Sequence, residues 1–141
     1  MAQPQPKNPF TVEQRSGKLT VSSGSVWETK IGYSRAIKKG NMIFISGCVG
    51  IAPDKTFSPH VAEQTRRSLA IIQSALEALG ASMSDVVMPR MYLTDIKNWE
   101  QVALAHGEIF GEIRPAAVMV EVAKLIDDAA QIEIEATAMV A

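Results

Sequence analysis

The stretch Ile132-Glu133-Ile134-Glu135-Ala136-Thr137-Ala138-Met139-Val140 decides the fold. Ile132, Ile134, Ala136 and Ala138 take every second position, and Glu133, Glu135 and Thr137 fall between them. Side chains of a strand alternate between faces, so one set enters a core and the other looks out of the far side of a sheet. Working outward, Ala116 to Ala123 alternates Val118, Val120 and Val122 against Ala117, Met119 and Glu121. Val86 to Thr94 is strand-like, and Pro89 within it calls for an edge position or a bulge. Ile31 to Val49 reads as a hairpin. Ile31, Tyr33, Arg35 and Ile37 share a face of its first strand, Met42-Ile43-Phe44-Ile45-Ser46 forms the second, and Gly40-Asn41 makes the turn. Leu19-Thr20-Val21 is a weaker strand pattern.

Two segments carry helical spacing instead. Val61, Leu69, Ile72, Leu76 and Leu79 recur on one face between Ser58-Pro59, a cap and first-turn pair, and Gly80, a terminator. Glu63, Arg66, Arg67 and Gln73 occupy the opposite side, toward water. A second helix starts at Asn98 with Gln101 as capping-box partner, carries Trp99, Val102, His106, Ile109 and Phe110 as its stripe, and ends at Gly111. The expected order is β-β-α-β-α-β-β, an α+β fold with two helices on one face of a mixed sheet. Residues 1–17, with Pro4, Pro6 and Pro9, read as a poorly ordered arm, and residues 18–141 as one domain.

Composition narrows the function classes. With 14 Lys+Arg against 15 Asp+Glu, the net charge of -1 supplies no basic field for nucleic acid or an anionic membrane. Apolar runs such as Met42 to Ile45 are far shorter than the roughly 20 residues of a membrane span. The single cysteine, Cys48, fits a reducing compartment, and the N-terminal segment lacks an apolar signal core, so the expected location is the cytoplasm.

The alternation in the last strand exposes a problem. If Ile132, Ile134, Ala136 and Ala138 face the helices, Glu133 and Glu135 face the other side. With Val118, Val120 and Val122 also toward the helices, Met119 and Glu121 join them. Such a face calls for cover by a second copy of the chain. Its carboxylates are then either paired with Arg or Lys or used as acids and bases, and for Glu133 both readings stay open. Arg90, in a strand beside Pro89, needs an anionic partner, from the protein or from a ligand. Tyr33 and Arg35 are candidates on a shared face. His106 reads as a packed, hydrogen-bonded core histidine, His60 as a solvated one, Cys48 as a buried structural thiol and Asp127-Asp128 as a polar loop. No metal-ligand spacing surrounds the histidines, and Gly47-x-x-Gly50 is too short for a dinucleotide fingerprint.

Motifs in order resemble one family. Gly32-Tyr33-Ser34-Arg35-Ala36, Gly40-Asn41-Met42-Ile43-Phe44-Ile45-Ser46-Gly47, Glu63-Gln64-Thr65-Arg66, Leu76-Glu77-Ala78-Leu79-Gly80-Ala81, Met91-Tyr92-Leu93-Thr94-Asp95, Arg114-Pro115-Ala116, Val120-Glu121-Val122-Ala123 and Ile132-Glu133-Ile134-Glu135-Ala136 are similar to the RidA/YjgF family between about Gly32 and Ala138. The resemblance implies a chorismate-mutase-like homotrimer with sheets inside, helices outside and ligand clefts between subunits. It implies hydrolysis of reactive enamines and imines to carbonyl compounds and ammonia, without a cofactor. The older label of L-PSP endoribonuclease travels with it.

Carried over, the resemblance makes Glu133 the water-positioning residue, Tyr33 a cleft wall, and Ser46-Gly47 part of the substrate site. The family's carboxylate-binding arginine falls on Ala117, a neighbouring cysteine falls on Met119, and a second-helix asparagine on Ala103. The loop Leu125 to Gln131 has an extra residue. Alanine cannot form a bidentate carboxylate clamp, so Arg90 is the first candidate to replace it, with Arg35 and Arg114 behind. The expectation is therefore a Rid-family deaminase with a non-standard site. Its rivals are a non-catalytic metabolite-binding or chaperone-like trimer and, third, an RNA-cleaving protein.

Overall fold

A computed structural model describes residues 8–141. One mixed sheet of seven strands has the order β1-β2-β3-β4-β7-β5-β6. The strands are β1 (Thr11–Arg15), β2 (Lys18–Ser22), β3 (Ala36–Lys39), β4 (Met42–Val49), β5 (Val86–Leu93), β6 (Val118–Glu121) and β7 (Ile132–Met139). Only the β5–β6 pair is parallel. Helix α2 (Val61–Ala78) packs on β4 and β7, and α3 (Trp99–Phe110) lies beside α2. The α+β layering matches the expectation, with two more strands and one more helix than the expected order.

The core follows from the alternation. Ile132, Ile134, Ala136 and Ala138 are buried, with Ile43 and Ile45 on β4 and Met91 and Leu93 on β5 beside them. From α2, Leu69, Ile72 and Leu76 reach the same core and are fully buried, each contributing about 1.5–3 kcal/mol relative to exposure. Gly80, at φ 77°, ends this helix, with Ala81 N–H donating to the Leu76 carbonyl. The helix begins two residues later than Ser58-Pro59 suggested, at Val61 with His60 in the cap position, and the Ser58 hydroxyl accepts the His60 N–H.

Four readings need correction. Residues 1–7 of the expected arm lie outside the described residues, but Thr11–Arg15 is a strand paired with β2. Its turn is Ser16-Gly17, both at positive φ, the geometry of a type I′ hairpin. The first strand of the expected Ile31 hairpin is only Ala36–Lys39, because Val26–Ile31 forms a short helix, α1, ended by Gly32 at φ 91°. The turn at Gly40-Asn41 holds, with Gly40 at φ 60°.

The third concerns β6. Met119 pairs with Met91 and packs toward the core, while Val118 and Val120 pair with Arg90 and Tyr92 on the open face. Apolar residues fill both parities of that segment, so only the pairing with β5 fixes which face is which. The fourth is α3, where Trp99 is exposed and Val102, Ala105 and Phe110 form the buried side. Its cap expectation also fails: Asn98 makes no side-chain cap hydrogen bond, and Asp95 instead receives Lys97 N–H in the preceding 3₁₀ turn. Pro89 is reconciled by a bulge: β5 shifts register between Val86 and Met88, and pairing with β6 begins only at Arg90.

Candidate functional site

Strand β4 departs from its neighbours at Ser46-Gly47. Ile45 pairs with Ala136 and Cys48 with Ile134, so β4 carries one extra residue and bulges there. Its pairing with β3 stops at Ile45. The bulge points Gly47 at Glu133, whose strand neighbours are Val49 and Tyr92. A Cβ at position 47 would come within 2.9 Å of Glu133 Cδ and 3.1 Å of its Cγ, so the carboxyl occupies the space a side chain would take. Gly50 is required for a different clearance: a Cβ there would meet the Gln64 backbone on α2. The Gly47-x-x-Gly50 spacing thus serves a carboxylate and a helix contact.

Beside the bulge lies a buried polar network. Arg35 Nη1 donates to the Gly47 carbonyl at 2.7 Å and to Cys48 Sγ at 3.2 Å, and Arg35 Nη2 donates to the Tyr33 hydroxyl at 3.1 Å. On its other side, Arg35 Nε lies 3.7 Å from Glu28, which is equally buried and receives both the Ser23 N–H and the Ser23 hydroxyl. Cys48 donates to the Ser46 carbonyl, and burial pushes its thiol up, against the pull of Arg35. The thiol is buried, as expected, and has Arg35 as a defined partner.

A cavity of about 240 Å³ opens over this network. Tyr33, Arg35, Gly47, Cys48 and Glu133 line it. Burial raises the Glu133 carboxyl above the ordinary glutamate range; Arg35 opposes the rise and Glu135 adds to it. Tyr33 accepts from Arg35, which leaves its own hydroxyl proton free to point elsewhere. The cavity's far wall is the loop after β6, where Ile126 and Asp127 line it. Fully buried Gln64 pins that loop, donating to the Ser58 and Ala129 carbonyls and accepting the Gln131 N–H at 2.8 Å.

The other sequence candidates fall elsewhere in the single chain. Arg90 faces Glu135 across β5 and β7 and donates to Thr137 Oγ1 at 3.3 Å; it does not line the cavity. Glu135 instead accepts from the Tyr92 hydroxyl, a bond that raises the tyrosine. Ser46 uses its hydroxyl on the Ser34 carbonyl at 2.7 Å. Ala117 is exposed just before β6, two strands from β7, and Met119 is on the helix side. Arg114 is exposed with φ 56°. His106 stacks on Phe110 at 4.6 Å, but its buried Nε2 has no hydrogen-bond partner, unlike the expectation, and burial lowers its pKa. Among the described residues, no group of three His, Cys, Asp or Glu is placed to hold a metal ion, and no helix is long and apolar enough to cross a membrane.

Sequence reasoning missed α1 and with it Glu28 and Trp27. The signal was present: Ser25-Val26-Trp27-Glu28 has the S-x-x-E spacing of a helix start. Ser25 is indeed the N-cap, accepting from Trp27 N–H, although Glu28 turns inward to Arg35.

The family described as Endoribonuclease L-PSP matches residues 25–140. The chain belongs to this family. A crystal structure from Mycobacterium tuberculosis, described as a member of the YjgF/YER057c/UK114 family, superposes with a TM-score of 0.82 at 42% identity, covering 87% of this chain and 99% of that one. A RutC family protein of Pyrococcus abyssi is 42% identical over 108 residues, 75% of this chain and 84% of its own length. The chloroplastic Reactive Intermediate Deaminase A of Arabidopsis thaliana is 36% identical, over 92% of this chain and 76% of its own. The L-PSP family match starts after β2, so the β1–β2 hairpin precedes the matched region.

Proposed function

We propose that this L-PSP family protein is a homotrimeric, cytoplasmic deaminase that hydrolyses reactive imines or enamines at the cavity over Gly47. The observation that carries the reading is the raised Glu133 carboxyl lying against the side-chain-free Gly47 bulge, beside Tyr33 and Arg35. A carboxylate whose pKa is raised by burial is a better base, provided it remains ionised. In this reading Glu133 takes a proton from water as its oxygen bonds to the imine carbon. The proton passes to nitrogen to complete the carbinolamine; a second proton then moves from its new hydroxyl to the amine as the C–N bond breaks, and a carbonyl compound and ammonia leave. Tyr33 directs its free proton toward the substrate or the water. Arg35 acts through Tyr33 and through its field at Glu133, since both its Nη groups are already engaged. The reaction needs no cofactor. Resemblance to a relative named Reactive Intermediate Deaminase A supports the substrate class.

The trimer supplies cover for the open sheet face, where Phe44, Val118 and Val120 are exposed. Within a trimer, the Ala117 and Arg90 region of one chain is available to the cavity of another, which is how the family's usual carboxylate-binding position enters the site. Since that position is Ala117, the substrate either lacks a carboxylate or meets Arg90 from a neighbouring chain. The test is ammonia release from imines generated in situ by an amino-acid oxidase, with semicarbazide trapping of free imine. Acceleration by wild type and its loss in Glu133→Ala support the reading; loss in Arg90→Ala as well assigns Arg90 to the anion. No acceleration with any imine rejects the deaminase.

A further inference from the structure

Four of the thirteen large apolar residues exposed among the described residues gather at one place. Ile126 (74% exposed), Val26 (67%), Ile31 (59%) and Trp27 (42%) all line the cavity that contains Glu133. Single exposed apolar side chains need no explanation, but a concave group of them around a few polar atoms is the pattern of a ligand pocket. Two separate pieces of chain build it. Helix α1 brings Val26, Trp27 and Ile31, fixed by Ser25 at one end and by buried Glu28 in the middle. The loop after β6 brings Ile126, fixed by Gln64. Phe57 adds an aromatic ring to the wall. The cavity's 240 Å³ is far above the roughly 10–15 Å³ that one water requires. The polar atoms sufficient for hydrolysis, on Tyr33 and Glu133, leave this apolar wall without a task if the substrate is small.

We infer that the site selects imines and enamines bearing a bulky apolar substituent, branched-chain or aromatic, over those bearing methyl or hydroxymethyl. This rests on the hydrolase reading for its reaction, but the ligand preference is measurable without turnover. Burying one methylene is worth a factor of about four in affinity, so an isobutyl group gains about 50-fold over methyl. The substituent lies against Trp27 and Ile126 while the reacting carbon stays near Glu133.

The experiment is isothermal titration of the wild-type protein with 4-methyl-2-oxopentanoate and with pyruvate, the carbonyl products of a branched and a small imine. The expected result is a dissociation constant about 50-fold lower for the branched compound, with the ratio reduced to below about 5 in Ile126→Ser and in Trp27→Ala. Both positions are exposed, so neither change disturbs the core; if one variant is poorly folded by circular dichroism, the other gives the reading. Equal affinities, or binding of neither compound, overturn the inference. Selective binding without any imine turnover upholds the apolar pocket and rejects the hydrolase, so the two failures are told apart.

Discussion

A methyl group at position 47 meets the Glu133 side chain first. The Gly47 backbone is not in the left-handed region, so alanine fits its conformation. The added Cβ, however, would lie 2.9 Å from Glu133 Cδ and 3.1 Å from Cγ, and closer still to Oε1. Ordinary carbon contacts are about 3.5–4.0 Å, so the carboxyl must retreat by about 1 Å. A displacement of that size in a reacting group costs about 100-fold in rate. Stability should hardly change, because a glycine-to-alanine exchange at a compatible backbone gains about 0.4–1 kcal/mol, which offsets the crowding. The assay is oxidase-coupled ammonia release at matched protein concentration, with thermal melts of both proteins. A Gly47→Ala protein that melts like wild type and keeps its full rate would refute the claim that this carboxyl position governs the chemistry.

Other outcomes follow from the same network. Glu133 is raised by burial, so its basic form, and with it kcat/KM, falls as pH drops, with a midpoint above the ordinary glutamate range of about 4.3; a midpoint at or below that value contradicts the burial argument. The sign for stability is opposite to that of a salt-bridged acid: the folded pKa lies above the unfolded one, so stability is lost as pH rises through it. Glu133→Gln therefore raises Tm at neutral pH and not in acid, and an unchanged Tm at neutral pH counts against it. Glu28→Ala leaves Arg35 buried without its counter-charge and should cost about 3–5 kcal/mol in a urea titration; a loss below about 1 kcal/mol means water reaches Arg35. Val120→Asp on the open sheet face should convert a species of three times the 15.3 kDa chain mass into monomer in light scattering, and a wild-type monomer removes the trimer.

What the sequence made legible depends on whether pattern and pairing agree. In β7 only one parity is apolar, so its inward and outward faces are read without the structure, and Glu133 falls on the face away from the helices. In β6 both parities are apolar, and the register with Met91 and Leu93 is what turns Val118 and Val120 outward. The bulge at Ser46-Gly47 leaves no periodicity mark, yet it joins Gly47 to Glu133 and sets Cys48 on the same buried side as Ile45. Strand β1 escaped because all five of its side chains are exposed, so no core selects their pattern. Helix α1 is too short for an apolar stripe, and only its Ser25-x-x-Glu28 spacing announced it. Glu28 and Arg35 are seven residues apart in sequence, and the turn at Gly32 that brings them together is a tertiary fact.

The most direct test of the central claim is a crystal structure of the protein with 4-methyl-2-oxopentanoate, a product that cannot react further. The account predicts a carbonyl group held over the Gly47 bulge, with the Glu133 carboxyl in hydrogen-bond reach of it, about 2.6–3.2 Å, directly or through one water. Its branched chain should rest on Trp27 and Ile126. A ligand bound on the open sheet beside Arg90, with Glu133 touching neither it nor a bridging water, would contradict the account.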